Sequence, residues 1–457
     1  MKRSNKSSAI TAVLLFLAGI VQAQSAYDLQ QCIDYALKNN VNVINAGLDQ
    51  QMADAQVRQT MADGLPQING NIDLAYNFKV PTSFLPAILI PEEFRDPSTP
   101  PDGFVPVNFS TKYTGAANIS AQQMIFNGSY FVGLQAARTF TQLSYKKKIQ
   151  TEIEVIEAVT KAYYNLLIMK EREELVDRNY ARLDSLLNET QIMFDNGFAE
   201  KIDINRVKVQ FNNISVQKQN FDNMLALSND LLKFQMGMPL SAELQVTGTI
   251  NDIDFRGIEE QIANEFNYDD RIEYQQLETN RDLVDLDIKN TRVQYLPRFD
   301  AYGTLGATSG AQSTSELFDV QDNWFELGVV GLKMNLPIFD GFRKSNMIQQ
   351  KKIQRQQIDN SFEQMKNAID LEIRQGITSY ESAVDNMVVQ KENMELAEEV
   401  YRVAKIKYEE GVGSNIEITN ADADYKEAQT NYYDALYAAL VAKVDLEKAY
   451  GKLRTDN

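Results

Sequence analysis

The sequence predicts a mainly α-helical protein with a β-barrel part, built from a duplicated unit of helix, strand, strand, long helix and helix. Three observations lead to this fold class. Two very long runs lack helix breakers, an internal repeat contains both runs, and several segments alternate apolar and polar residues. The runs indicate paired helical rods, and the alternation indicates strands.

The two breaker-free runs predict long helices at 129–196 and 342–410. The second run fills the 69 residues between Gly341 and Gly411, with no proline and a single interior glycine. The run between Gly128 and Gly197 has the same character. At about 1.5 Å per residue each would form a rod of roughly 100 Å, whereas the mean globular helix has only about 11–12 residues.

Matching signals around both runs indicate an internal duplication. The four residues that lead into each run are Ile-Phe-Asn-Gly at 125–128 and Ile-Phe-Asp-Gly at 338–341. After the runs, Ile-Asp-Ile at 202–204 corresponds to Ile-Glu-Ile at 416–418. Shorter helices on either side of each run would pack end to end along it. The predicted boundaries are a first repeat at 24–239, an equatorial linker at 240–266 and a second repeat at 267–457.

The strands are predicted from alternation. From Ile68 to Val80 the even positions are apolar or glycine and the odd ones are mostly polar, which gives a two-faced strand near 67–80. Such a strand is long enough to cross a bilayer when tilted, although an ordinary soluble hairpin also fits. Similar patterns predict three further strands, near 112–125, 298–308 and 325–336.

The connections between the strands have their own signals. Residues 81–112 hold seven of the eleven prolines and no clear period, so we expect a surface loop there. Trp324 lies in the connection before the last strand, and we expect it at a membrane interface.

Composition excludes several functional classes. The chain has no histidine and one cysteine, Cys32, so it has no disulfide framework, no His-based zinc site and no Ser-His or Cys-His dyad. We expect no enzyme activity, no cofactor and no metal. The formal net charge of −18 makes nucleic acid a poor partner.

Residues 1–23 are predicted to be a signal peptide that is removed. A basic start precedes an apolar stretch at 9–21, and Ala23 ends a small-residue cleavage site. No other segment approaches the roughly 20 apolar residues of a spanning helix, so a mature chain that crosses a membrane must do so as strands.

Four strands per chain predict an oligomer. An open sheet edge in lipid leaves backbone groups without partners, and the smallest closed barrels use about eight strands. Several copies must therefore pool their strands, and the same symmetry would arrange the rods as a tube.

The ordered set of motifs resembles the TolC-like outer-membrane efflux proteins over nearly all of the mature chain. The turn Tyr408-x-x-Gly411 followed by Ile-Glu-Ile at 416–418 carries this resemblance, together with the matching Phe194-x-x-Gly197 and Asp203.

The resemblance implies a homotrimer with a transmembrane barrel of twelve strands in the outer membrane of a Gram-negative bacterium. A periplasmic α-helical barrel would continue it. The protein would be the passive exit duct of a tripartite efflux or secretion system. Its partners would be a periplasmic adaptor protein, an inner-membrane pump and the outer-membrane lipids.

The resemblance also implies a periplasmic gate at the turns. By motif, the tyrosine and aspartate that hold the closed state correspond to Tyr408 and Asp203, and an acidic ring at the constriction corresponds to Glu417. Gly197 and Gly411 mark the helix-turn tips, where glycine is favoured as a left-handed C-cap in any protein. An acid in the first turn of a helix is likewise favoured by the helix dipole alone.

This chain departs from the family pattern at two positions near the gate. An arginine expected two residues after the turn glycine is Gly413, and a second ring carboxylate is Asn420. Lys201 is near enough in sequence to replace the missing cation.

Two other functional classes are open at this point. One is a periplasmic coiled-coil adaptor or structural spacer, although an adaptor normally has one helical hairpin rather than two interrupted by strands. The other is an exported enzyme, for which the sequence offers no catalytic set.

Overall fold

The structure is a computed structural model, and it describes residues 26–97, 100, 102–248, 250, 255 and 266–454. The predicted signal peptide at 1–23 lies outside the described residues. Of the predicted linker at 240–266, only 240–248, 250, 255 and 266 are described.

The chain is mainly helical, with six strands in the described part. The helices are α1 (Leu29–Asn39), α2 (Val41–Ala62), α3 (Gly128–Asp195), α4 (Lys201–Met236), α5 (Ile272–Val293), α6 (Thr314–Leu317), α7 (Arg343–Glu409) and α8 (Asn415–Ala449). The strands are β1 (Gln67–Tyr76), β2 (Ser83–Pro86), β3 (Phe104–Val107), β4 (Tyr113–Phe126), β5 (Arg298–Ala311) and β6 (Trp324–Asn335). The mainly helical class is confirmed, whereas the division into repeats stays a prediction.

The two long helices are continuous. Helix α3 has 68 residues and α7 has 67, and each begins and ends within two residues of the predicted bounds. Neither contains proline, so no missing N–H interrupts the backbone hydrogen bonds. Within the described residues, no helix combines the length and the apolar character needed to cross a membrane.

Strands from both halves of the sequence form one antiparallel sheet in the order β1-β4-β5-β6. Paired residues of antiparallel strands point to the same face. The register pairs Gly70 with Ile119, Ile119 with Leu305, and Leu305 with Gly328. The predicted apolar sides of all four strands therefore form one continuous face, and most of its large side chains are exposed.

The segment predicted as a loop at 81–112 contains more order than its prolines suggested. Strands β2 and β3 pair with each other in a separate two-stranded sheet. Pro86 and Pro106 are tolerated because each strand of such a pair has a free edge. Sequence periodicity missed this pair because its strands are four residues long and distant in the chain.

The described chain forms two compact units, and each contains segments from both halves of the sequence. One unit comprises 52–142 and 279–357 and contains both sheets. The other comprises the described parts of 1–51, 143–278 and 358–457. Its apolar cores lie between helices, and the core nearest the two turns contains Leu183, Val207, Tyr401 and Ile418.

Candidate gate at the helix turns

The first turn joins α3 to α4 through a glycine C-cap. Gly197 has a φ of 80°, in the left-handed region that glycine adopts without strain. Its N–H donates to Phe194 O at 2.9 Å, and the Phe198 N–H donates to Met193 O at 2.8 Å. This pair of bonds is a Schellman motif, which satisfies carbonyls left free at the helix end.

The second turn, between α7 and α8, repeats this geometry. Gly411 has a φ of 73°, and its N–H donates to Tyr408 O at 3.1 Å. The Val412 N–H donates to Lys407 O at 3.0 Å. Both predicted turn glycines are therefore left-handed C-caps. The residue after each glycine is an exposed hydrophobic one, since Phe198 is 85% exposed and Val412 is 80% exposed.

Asp203 caps the start of α4. The Glu200 N–H donates to Asp203 Oδ2 at 3.0 Å, and Arg206 Nη1 lies 3.6 Å from Asp203 Oδ1. A carboxylate in the first helical turn accepts a hydrogen bond from a backbone N–H that has no partner within the helix. The positive end of the helix dipole also stabilises its negative charge. Within one chain, Asp203 therefore has the local role that any acidic residue would have at this position.

Glu417 pairs with a cation that the sequence motif did not indicate. Lys407 Nζ, at the end of α7, donates to Glu417 Oε1 at 3.0 Å across the turn. The Glu417 N–H donates to the Ser414 hydroxyl at 3.2 Å, so Ser414 caps α8. Among the described carboxylates, none lies within 4.0 Å of Lys201, the cation suggested from sequence. The cation beside Glu417 is Lys407.

Tyr408 is a core residue within one chain. Its side chain is buried with Ile418, Ala404 and Ala421 in the apolar cluster between the helices. Within the described residues its hydroxyl has no hydrogen-bond partner, and no hydrogen bond joins it to Asp203. Tyr408, Asp203 and Glu417 thus lie at or near the two turns, but among the described residues no hydrogen bond or ion pair joins any two of them.

A buried polar cluster behind the turns has no counterpart among the predicted site residues. Asp422 lies 2.6 Å from both Arg182 Nη2 and Lys426 Nζ. The Arg182 guanidinium also lies over the Tyr401 ring, 4.4 Å from its centroid, and burial raises the pKa of Tyr401 to about 12. Sequence spacing shows only the Asp422–Lys426 pair, because Arg182 comes from a different part of the chain.

Trp324 lies at the start of β6, on the apolar face of the sheet. It pairs with Ser309, and its indole N–H donates to Leu317 O at 2.8 Å. The ring packs against Gly115. An apolar ring with a satisfied polar group at the end of an apolar face is typical of a membrane-interface tryptophan, a role that stays a prediction.

In the described part of the chain, no group of three or more His, Cys, Asp or Glu side chains is arranged to hold a metal ion. The polar groups at the turns are ion pairs and helix caps, and the arrangement offers charge and packing rather than a reactive centre.

Known proteins share the sequence pattern of both halves. The family model described as outer membrane efflux protein matches residues 32–237 and 271–452. The toluene efflux pump outer membrane protein TtgC of Pseudomonas putida is 20% identical over 425 residues, which cover 93% of this chain and 82% of that protein. The antibiotic efflux pump outer membrane protein ArpC of Pseudomonas putida has the same identity and coverage.

Solved structures share the fold. The outer membrane protein VceC of Vibrio cholerae superposes with a TM-score of 0.66 at 16% identity, covering 93% of this chain and 96% of VceC. The CmeC outer membrane channel of Campylobacter jejuni gives a TM-score of 0.67 at 17% identity, covering 93% and 85%.

The family match extends over most of the chain and takes in both helical turns. It confirms the family resemblance and the outer-membrane location inferred from the motifs, and it does not support the alternative of a periplasmic adaptor or spacer. This chain belongs to the outer membrane efflux protein family, whose members are passive efflux channels of the outer membrane and not enzymes.

Proposed function

We propose that three copies of this chain form the outer-membrane duct of a tripartite efflux or secretion system. Each copy contributes four strands to a twelve-stranded transmembrane barrel and its long helices to a periplasmic α-helical barrel. The sheet is the observation that carries this proposal. One face is apolar and exposed across strands from both halves, and among the described residues the outer edges of β1 and β6 have no partner.

The free edges favour assembly between copies. An exposed, apolar strand edge is unfavourable in water and more so in lipid, because its N–H and C=O groups lack partners. Pairing β6 of one copy with β1 of the next would satisfy both edges. Repeated three times, this pairing closes the sheet, and the apolar face then contacts lipid.

The turns are the proposed docking site of the periplasmic adaptor. Phe198 and Val412 project from equivalent positions in the two turns and are almost fully exposed. Each leaves apolar surface in water that a partner could cover, so these two side chains are the proposed contacts with the adaptor. The adaptor would connect the turns to an inner-membrane pump that supplies the energy, since the channel family works with such partners.

The gate is proposed at the same turns. In the trimer, Asp203 and Tyr408 would hold neighbouring helices in the closed state, and three copies of Glu417 would form an acidic ring. Repeating one carboxylate around a narrow pore raises the local cation concentration, so the channel should prefer cations.

The overall proposal is tested on the full-length protein purified in detergent. We expect the mass of a trimer after correction for bound detergent, and discrete conductance steps in planar bilayers. A monomer that stays in solution without detergent would contradict the proposal. Unchanged complex formation with a periplasmic adaptor after Phe198→Ser and Val412→Ser would contradict the docking site alone.

The acidic ring is tested by Glu417→Gln. We expect the variant to lose much of the cation preference, measured as the reversal potential under a salt gradient. Glu399→Gln is the matched control, because Glu399 lies on α7 and pairs with Arg402 on the same helix. An anion preference that Glu417→Gln leaves unchanged would remove the ring assignment.

A further inference from the structure

Polar contacts connect the two helical hairpins along α3 and α8. We call α3 and α4 the first hairpin, and α7 and α8 the second. As the residue numbers rise along α3, those of the contacted residues on α8 fall. The two helices therefore run antiparallel beside each other. The contacts form a polar ladder of five pairs: Glu157–Lys448 at 2.7 Å, Lys161–Asp445 at 2.5 Å, Arg172–Asp434 at 2.8 Å, Asn179–Gln429 at 3.2 Å and Arg182–Asp422 at 2.6 Å.

The Arg182–Asp422 pair, nearest the turns, differs from the other ion pairs in its burial. The Asp422 side chain is only 3% exposed, whereas that of Asp434 is 63% exposed. Asp422 also contacts Lys426, and Arg182 lies against the Tyr401 ring. Exposed ion pairs contribute little to stability, but removing one partner of a buried pair leaves an unpaired charge in a poorly solvated site.

The ladder stops at this pair. Over the stretch of α3 from 183 to 195, which the structure describes in full, no hydrogen bond or ion pair crosses to α7 or α8. Three polar side chains there bond within their own helix: Ser185 donates to Ala181 O, Thr190 to Leu186 O and Gln191 to Asp195. Among the described residues beyond the ladder, apolar side chains such as Leu183 and Leu186 pack between the hairpins.

We infer that the buried Arg182–Asp422–Lys426 cluster is the hinge of the gate. It holds the hairpins together at a fixed point, and the turn-side segments beyond it, 183–200 and 405–421, move when the duct opens. Apolar contacts are non-directional, so these segments can slide or tilt while the ladder keeps its register. Arg182 and Asp422 are thus positioning residues for the gate, an inference that rests on the proposed function.

The inference is tested by Asp422→Asn in the full-length trimer. The uncharged amide weakens the fixed point, and we expect the ratio of open to closed dwell times in bilayer recordings to rise about tenfold, equivalent to about 1.4 kcal/mol. Asp434→Asn is the matched control, because it makes the same substitution on the same helix at an exposed pair. It should leave the ratio unchanged.

A double variant covers the possibility that Asp422→Asn fails to assemble. Arg182→Gln with Asp422→Asn removes both charges together and should raise the dwell-time ratio in the same direction. A trimer that is less heat-stable but has an unchanged ratio would overturn the inference, since the cluster would then serve stability alone.

Amide hydrogen exchange separates this inference from the proposed function. Weakening the cluster should speed exchange in 183–196 and 405–421 and leave 155–172 unchanged, whether or not the protein conducts. Faster exchange spread evenly along α3 would overturn the hinge. Absence of any conductance in the unsubstituted protein would instead contradict the duct.

Discussion

At the scale of single residues, the ion pair of Lys407 with Glu417 affects the charge at the second turn. The ammonium at 3.0 Å offsets part of the carboxylate's field. We expect Lys407→Gln to increase cation preference, measured as reversal potential. Lys405→Gln is the control, because Lys405 pairs with Glu409 along α7. Equal effects of the two variants would show that only net charge at the turns matters.

Glu157 supplies a prediction about pH. Burial opposes its ionisation, but hydrogen bonds from Lys161 and Lys448 outweigh that and lower the pKa of Glu157 below 4.5. Its stabilising contribution is therefore complete above pH 4.5 and is lost as the pH falls through the lowered pKa.

We expect Glu157→Gln to cost about 1.5–3 kcal/mol near neutral pH and to flatten the loss of stability below pH 4.5. Thermal unfolding of the detergent-solubilised protein at several pH values measures both effects. Glu399→Gln, at an exposed pair, is the control. Parallel pH curves for Glu157→Gln and the unsubstituted protein would contradict the assignment.

At the scale of elements, the helix ends depend on left-handed glycines. At Gly411, an added Cβ meets no neighbouring atom, so Gly411→Ala isolates the backbone cost. We expect a loss of about 1–2 kcal/mol, seen as a lower unfolding temperature. Gly133→Ala is the contrasting control, because Gly133 lies inside α3 with open space at its Cβ, and it should stabilise by about 0.5–1 kcal/mol. Equal responses would exclude a conformational role for Gly411.

At the scale of the whole molecule, the apolar sheet face predicts where a charge is tolerated. Leu332 lies on that face and Val329 on the opposite one, and both are exposed. We expect Leu332→Arg to cost about 2–4 kcal/mol in the membrane and to reduce trimer yield in outer-membrane fractions. Val329→Arg, facing the pore in the proposed trimer, should assemble. The reverse order would place the other face toward lipid.

Much of the fold was accessible from local patterns. Helix α3 follows from a breaker-free run, and the faces of β1 and β4 follow from alternation with period two. The left-handed turn at Gly197 follows from the preference of that conformation for glycine. These are properties of neighbouring residues, so the sequence alone determined them, and the repeated motifs were enough to indicate the family.

Only the tertiary structure decided which distant groups meet. The pairing of β4 with β5 joins the two halves of the sequence into one apolar face. Asp422 contacts Arg182, which lies 240 positions earlier in the chain. Lys407, rather than Lys201, reaches Glu417 because the turn folds α8 back beside α7. Such contacts depend on how helices and strands pack in space, and the spacing of residues along one chain does not encode them.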